Sequence, residues 1–99
     1  MKITKNMFVE NTDASRELEL YAMNSRNIYF YWIKPIIGSL HKKYVKGTFE
    51  GTKAICSFYH VATAASKEYF KEFGYKFSVT ERWTAAYNLL QEYMEDIAE

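Results

Sequence analysis

Cys56 and His60 stand four residues apart, the spacing that puts a thiol and an imidazole on one helix face as a nucleophile with its base or as two metal ligands. A metal needs more ligands than this pair supplies, and no second pair stands at a suitable spacing. Small buried cysteines are common core residues, so the expected role of the pair is packing. The other histidine, His41, opens the cationic run His41-Lys42-Lys43-Tyr44-Val45-Lys46, where positive charge offsets the negative end of a helix dipole. No Ser/His/Asp set, glycine-rich phosphate loop, HExxH or CxxC spacing occurs. The expectation is a protein that is not an enzyme and that uses no metal or cofactor.

Binding chemistry is better represented. Lys42, Lys43, Lys46 and Lys53 with Tyr44 interleaved are the residues a nucleic-acid binder would use, cations on phosphates and a ring on a base. Compensation of a helix C-terminus explains the same cluster without a ligand and is the favoured reading. The turn Gly74-Tyr75-Lys76-Phe77 joins two helices as a DNA-reading motif would. The helix after it, however, ends in Glu92, Glu95, Asp96 and Glu99, which phosphates would repel. Nine Tyr, seven Phe and two Trp in 99 residues make the chain unusually aromatic; the rings either build the core of a short chain with few leucines or form a contact surface. Large rigid rings dominate protein interfaces, so Tyr29 and Tyr31, or Phe70, Phe73, Tyr75 and Phe77, are candidates for an exposed contact patch. Trp32, Phe58, Tyr69 and Trp83 are expected in the core.

The elements that hold these residues are legible from caps and periods. Gly47 after the cationic run and Gly74 after Lys71-Glu72-Phe73 have the positions of left-handed helix stops, with Tyr75 able to fold back on the preceding turn. Ser78-Val79-Thr80-Glu81 is a capping box that opens a helix. Ala54, Phe58, Val61, Ala62, Ala65, Tyr69 and Phe73 form one face of a helix over 50–73, and Trp83, Ala86, Tyr87, Leu90, Met94 and Ile97 one face over 79–97. Ala14, Leu18, Tyr21 and Ala22 give a shorter stripe, extended back through Asn11 to Met7 or capped by Asn11-Thr12-Asp13.

The segment Ile28-Tyr29-Phe30-Tyr31-Trp32-Ile33-Lys34-Pro35-Ile36-Ile37 is ambiguous. Its β-branched and aromatic residues favour a strand, but no partner strand exists elsewhere. Steps of four through Ile28, Trp32, Ile36 and Leu40, with an adjacent stripe through Tyr29, Ile33, Ile37, Leu40 and Tyr44, predict a helix instead. Pro35 should kink or split it. The first stripe belongs to the core. The second, represented by Tyr29, Tyr31, Ile33 and Ile37, is the expected protein-binding surface. The sum is an all-α single domain of four helices, at about 5–24, 26–46, 50–73 and 79–97, over residues 1–99.

Net charge is +1, which gives no general attraction for nucleic acid. The lone Cys56 permits no intrachain disulfide and suits a reducing compartment. Neither a signal peptide nor an apolar run of bilayer-spanning length is evident, so a soluble cytoplasmic protein without membrane contact is expected.

The stretches Lys46-Gly47-Thr48-Phe49-Glu50-Gly51-Thr52-Lys53-Ala54-Ile55, Tyr69-Phe70-Lys71-Glu72-Phe73-Gly74 and Phe77-Ser78-Val79-Thr80-Glu81-Arg82 together resemble a pattern of small hypothetical proteins of tailed bacteriophages: Lys-Gly-x-aromatic-acidic-x-x-Lys-Ala, then Lys-Glu-Phe, then Phe-Ser-x-x-acidic-Arg. Gly51 and Thr52 depart from its more polar helix start. The resemblance covers roughly the last half of the chain and assigns no catalytic or binding residue. It implies a phage-encoded protein in the cytoplasm of a bacterial host. Such proteins commonly bind, inhibit or redirect a host protein, a defence component being one example, or serve as assembly factors. The expected partner is therefore a bacterial protein, with a homodimer or a nucleic acid as alternatives.

Overall fold

The computed structural model describes residues 13–99. Four helices follow one another: α1 (Asp13–Asn24), α2 (built of Arg26–Ile28, Tyr29–Ile33 and Lys34–Val45), α3 (Gly51–Phe73) and α4 (Val79–Ala98). There is no strand among the described residues, so the all-α four-helix domain read from the sequence is the fold. The expected extension of α1 through Asn11 to Met7, and the Asn11-Thr12 part of its cap, lie outside the described residues.

Punctuation is as the residue types dictate. Gly47 takes φ +77° and Gly74 φ +75°, both left-handed. At the end of α2, Thr48 N–H returns to Lys43 C=O at 2.8 Å and Gly47 N–H to Tyr44 C=O at 3.1 Å, the paired bonds of a Schellman motif. At the end of α3, Gly74 N–H reaches Phe70 C=O at 2.8 Å. The capping box is complete: Ser78 Oγ accepts from Glu81 N–H at 3.1 Å, and Ser78 N–H donates to Glu81 Oε1 at 2.8 Å. The Tyr75 hydroxyl turns to the start of α4, 3.2 and 3.3 Å from the two Glu81 carboxylate oxygens, and the Tyr75 ring packs edge-on against Phe77.

α3 and α4 form the central antiparallel pair; α1 packs on both, and the C-terminal part of α2 packs chiefly on α4. The described residues span 42 × 30 × 19 Å. A thickness of 19 Å is about two helix diameters, so each helix keeps one side open to solvent. The α3–α4 seam follows its small residues. Ala54, Ala62 and Ala65 face Ala85 and Ala86 within one buried cluster that also holds Phe58, Val61, Leu89, Leu90 and Ile97. Phe73, placed on the core stripe by its spacing, is exposed, its ring meeting those of Tyr21 and Tyr69. On α4 the buried face is turned toward Ala85 and Leu89, leaving Trp83, Tyr87 and Met94 at its margin. Cys56 is half-buried and His60 exposed.

The interruption expected at Pro35 takes a particular form. Residues 29–33 make one wide turn, and Lys34 N–H bonds Tyr29 C=O, five residues back. Backbone angles at Ile28, Tyr29, Ile33 and Lys34 remain right-handed helical, so α2 continues through the widening. Pro35 has no N–H, and in a regular α-helix its ring would meet Tyr31 C=O; a turn with one extra residue just before it relieves that contact. The extra residue also resets the phase. In an unbroken α-helix Ile28 and Ile33 would lie about 140° apart around the axis, whereas a turn closed by an i→i+5 bond brings them to one side.

Both are buried, and Leu40 follows on the same face. The stripe assignment from strict four-residue steps is thereby corrected. Ile33, expected on the partner-facing stripe, is 0% exposed in the chain's own core, and Trp32, expected in the core, is 41% exposed.

Candidate functional site

The wide turn sets out a surface. With Ile28 and Ile33 turned inward, Phe30, Tyr31 and Trp32 all point outward, exposed by 49%, 77% and 41%. Tyr29 stays half-buried, its ring edge-on to Phe30 at 5.5 Å and tilted against Tyr93 at 6.5 Å. Lys34 Nζ sits 5.6 Å from the centre of the Phe30 ring, one turn along. Of the four residues expected at a protein contact, Tyr31 is fully presented, Tyr29 forms its inner wall, and Ile37 is half-buried against the core. Ile33 is not available. Phe30 and Trp32 take its place, and spacing alone passed them over because the widening adds one residue to the turn. Pro35 is the signal that could have exposed this, since a proline inside a helix calls for a compensating change in the preceding turn.

The expected nucleic-acid residues Lys42, Lys43, Tyr44, Lys46 and Lys53 are all exposed. Lys53 Nζ is 3.7 Å from Glu50 Oε2, an exposed pair at the start of α3. The Tyr44 ring lies edge-on to Phe49 at 6.0 Å. His41 leaves the cationic run altogether: its Nδ1 donates to Ile97 C=O at 2.9 Å in the tautomer that carries the proton there. It thus caps the end of α4, a different helix from the one it stands on.

A polar clasp joins the α1–α2 corner to α3. Tyr21 Oη is 3.1 Å from both Glu68 Oε1 and Glu72 Oε2 and shares its proton between them, while Ser25 Oγ donates to Glu68 Oε1 at 2.8 Å and accepts from Ile28 N–H. Burial, and then the two carboxylates, push the Tyr21 phenol well above its ordinary value, so it serves as a neutral donor. The Tyr21 ring continues the contact through Tyr69 at 5.1 Å, edge to face. With a phenol locked in its donor form and no nucleophile beside it, the clasp has the chemistry of a brace. Phe77, expected at an exposed patch, is buried, while Phe70, Phe73 and Tyr75 are exposed.

Among the described residues no group of three or more His, Cys, Asp or Glu could hold a metal ion, and no helix is long and apolar enough to cross a membrane. Comparison with protein-family models, with characterised proteins and with solved structures finds no match.

Proposed function

We propose that this chain is a non-catalytic protein-binding module that engages its partner through the turn Phe30-Tyr31-Trp32. The observation that supports this is three consecutive large aromatic side chains held outward on one helical turn, its inner side anchored by the buried Ile28 and Ile33. Rings presented on a rigid backbone lose little entropy on binding, which is why such side chains dominate contact energies. The resemblance to small tailed-phage proteins extends the proposal: a phage-encoded factor that binds and inhibits or redirects a bacterial protein in the host cytoplasm, for example a defence component.

The test compares the intact chain with Tyr31→Ser/Trp32→Ser, a variant that alters exposed positions only. Both are immobilised and exposed to bacterial lysate, and retained proteins are purified and rebound singly. A host protein held by the parent chain and lost by the variant is the expected result; identical retained sets overturn the assignment. Light scattering over a concentration series reads the same patch for self-association. A dimer that the double substitution dissociates would place a second copy there instead.

A further inference from the structure

On the side of the α3–α4 pair away from α1 and α2, the C-terminal half of α3, the 74–78 turn and the start of α4 enclose a cleft of about 440 Å³. This is within the usual size of a small-molecule site. No residue of α1 or α2 lines it. Its apolar part is Phe70 and Phe77, and its charged part is Lys67, Lys71, Lys76 and Arg82, with no carboxylate among the described residues that line it. Among the described residues none of these four cations is ion-paired.

Helix-end compensation accounts for Lys71, in the last turn of α3. It does not account for the others. Arg82 and Lys76 flank the N-terminal end of α4, where the helix dipole is already positive and a cation is disfavoured. The one carboxylate in that turn, Glu81, is engaged by Ser78 N–H and the Tyr75 hydroxyl. Arg82 is held in place by Phe77 C=O, 2.9 Å from Nη1, and by Tyr59 Oη, 3.1 Å from Nη2 and 3.3 Å from Nε. These bonds use three of its five N–H groups and fix the plane of the guanidinium, so the other two are preorganised donors. Positive charge from α3, the turn and α4 therefore converges on an apolar recess that no carboxylate of the described residues lines.

We propose that this cleft binds a small organic anion with an aromatic or acyl body, a carboxylate or a phosphate ester. Arg82, Lys67 and Lys76 hold its charge, and Phe70 and Phe77 support its apolar part. The site is separate from the aromatic turn of α2, and the inference does not depend on what that turn binds.

The experiment uses two probes with the same rings, anilinonaphthalene sulfonate and the uncharged N-phenylnaphthylamine, followed by fluorescence at low and near-physiological salt. The intact chain should bind the sulfonate at one saturable site about tenfold more tightly than the neutral amine, the gain expected of a few partly exposed ion pairs acting together. Laurate and phenyl phosphate, as competitors, report whether an acyl or an aromatic body fits better. Lys67→Gln/Lys71→Gln/Lys76→Gln, at exposed positions, should keep its helical circular dichroism and its affinity for the amine but lose most of the preference for the anion. Tyr31→Ser/Trp32→Ser should leave both affinities unchanged. Equal affinity for the two probes, a preference that survives the triple substitution, or binding lost with Tyr31 and Trp32 would each overturn the proposal. Saturable binding of an acidic peptide alone, with no small anion retained, would also overturn it, in favour of a protein segment.

Discussion

If the wide turn of α2 is one residue added to an otherwise regular helix, removing that residue should be harmless where removing any other is not. Tyr31 is the residue to delete, because it is the most exposed of the turn. Without it Ile28 and Ile33 become four apart, the α-helical spacing for one face, and both stay in the core. Pro35 would then clash with the carbonyl four residues before it, a cost of about 3 kcal/mol, so the deletion is made together with Pro35→Ala. In that background loss of Tyr31 should cost at most about 1 kcal/mol, the range of an ordinary surface change.

Deleting Ser39 from the same background is the control. Deletion in a regular helix rotates one side against the other by about 100° and shortens it by about 1.5 Å. Leu40 would leave the core, a loss of roughly 2–5 kcal/mol, and the His41 bond to Ile97 C=O would go with it, for about 1 kcal/mol more. Against a stability of roughly 5–15 kcal/mol for a domain of this size, the Ser39 deletion removes a large share. Urea unfolding followed by far-ultraviolet circular dichroism measures both. Equal losses from the two deletions would refute the view that the turn is a self-contained insertion.

Other expectations follow from single side chains. Ile33→Ala should cost roughly 2–5 kcal/mol and Tyr31→Ala less than about 0.5 kcal/mol, a contrast that thermal melts resolve and that strict four-residue stripes would not produce. Thr84 is buried, and its Oγ1 has no hydrogen-bond partner among the described residues. Thr84→Val should therefore raise stability by about 1 kcal/mol in the same assay, since it removes an unsatisfied hydroxyl at nearly constant volume. The Tyr21 phenol is raised above its ordinary value of 10.0, so the folded state retains this proton better than the unfolded state. Its contribution is complete below that pH and is lost as pH rises beyond it toward the folded value. Tyr21→Phe should lower the melting temperature at neutral pH and flatten its alkaline fall. Gly74→Ala should cost about 1 kcal/mol by equilibrium unfolding, because φ is +75° there although an added methyl would touch nothing.

Much of the fold was legible because its signals are local. Gly47, Gly74 and the Ser78–Glu81 box act within a few residues of themselves, and the alanines of α3 recur at a period that only a helix satisfies. The rotation of α2 was not legible. Its phase depends on one additional residue absorbed before Pro35, and a fixed period applied across that point carries Trp32 inward and Ile33 outward. The candidate sites divide in the same way. Tyr31 stood out by type, while the cleft unites Lys67, Lys76 and Arg82 from three segments that no local pattern joins. His41 was assigned to its own helix end; its true acceptor lies 56 residues on, at a distance no local pattern spans.

That long reach bears on how the chain comes to fold. α4 follows the other three helices in the chain, yet it packs against α1, α2 and α3, and its final turn supplies the carbonyl that His41 holds. During synthesis the first three helices emerge with the inner faces of Leu18, Ile33, Leu40 and Phe58 still lacking the surface that covers them. At about 5–20 residues per second, adding α4 takes about 1–4 seconds. A chain truncated before Val79 should therefore recruit chaperones, and restoring α4 should close the domain in one cooperative step.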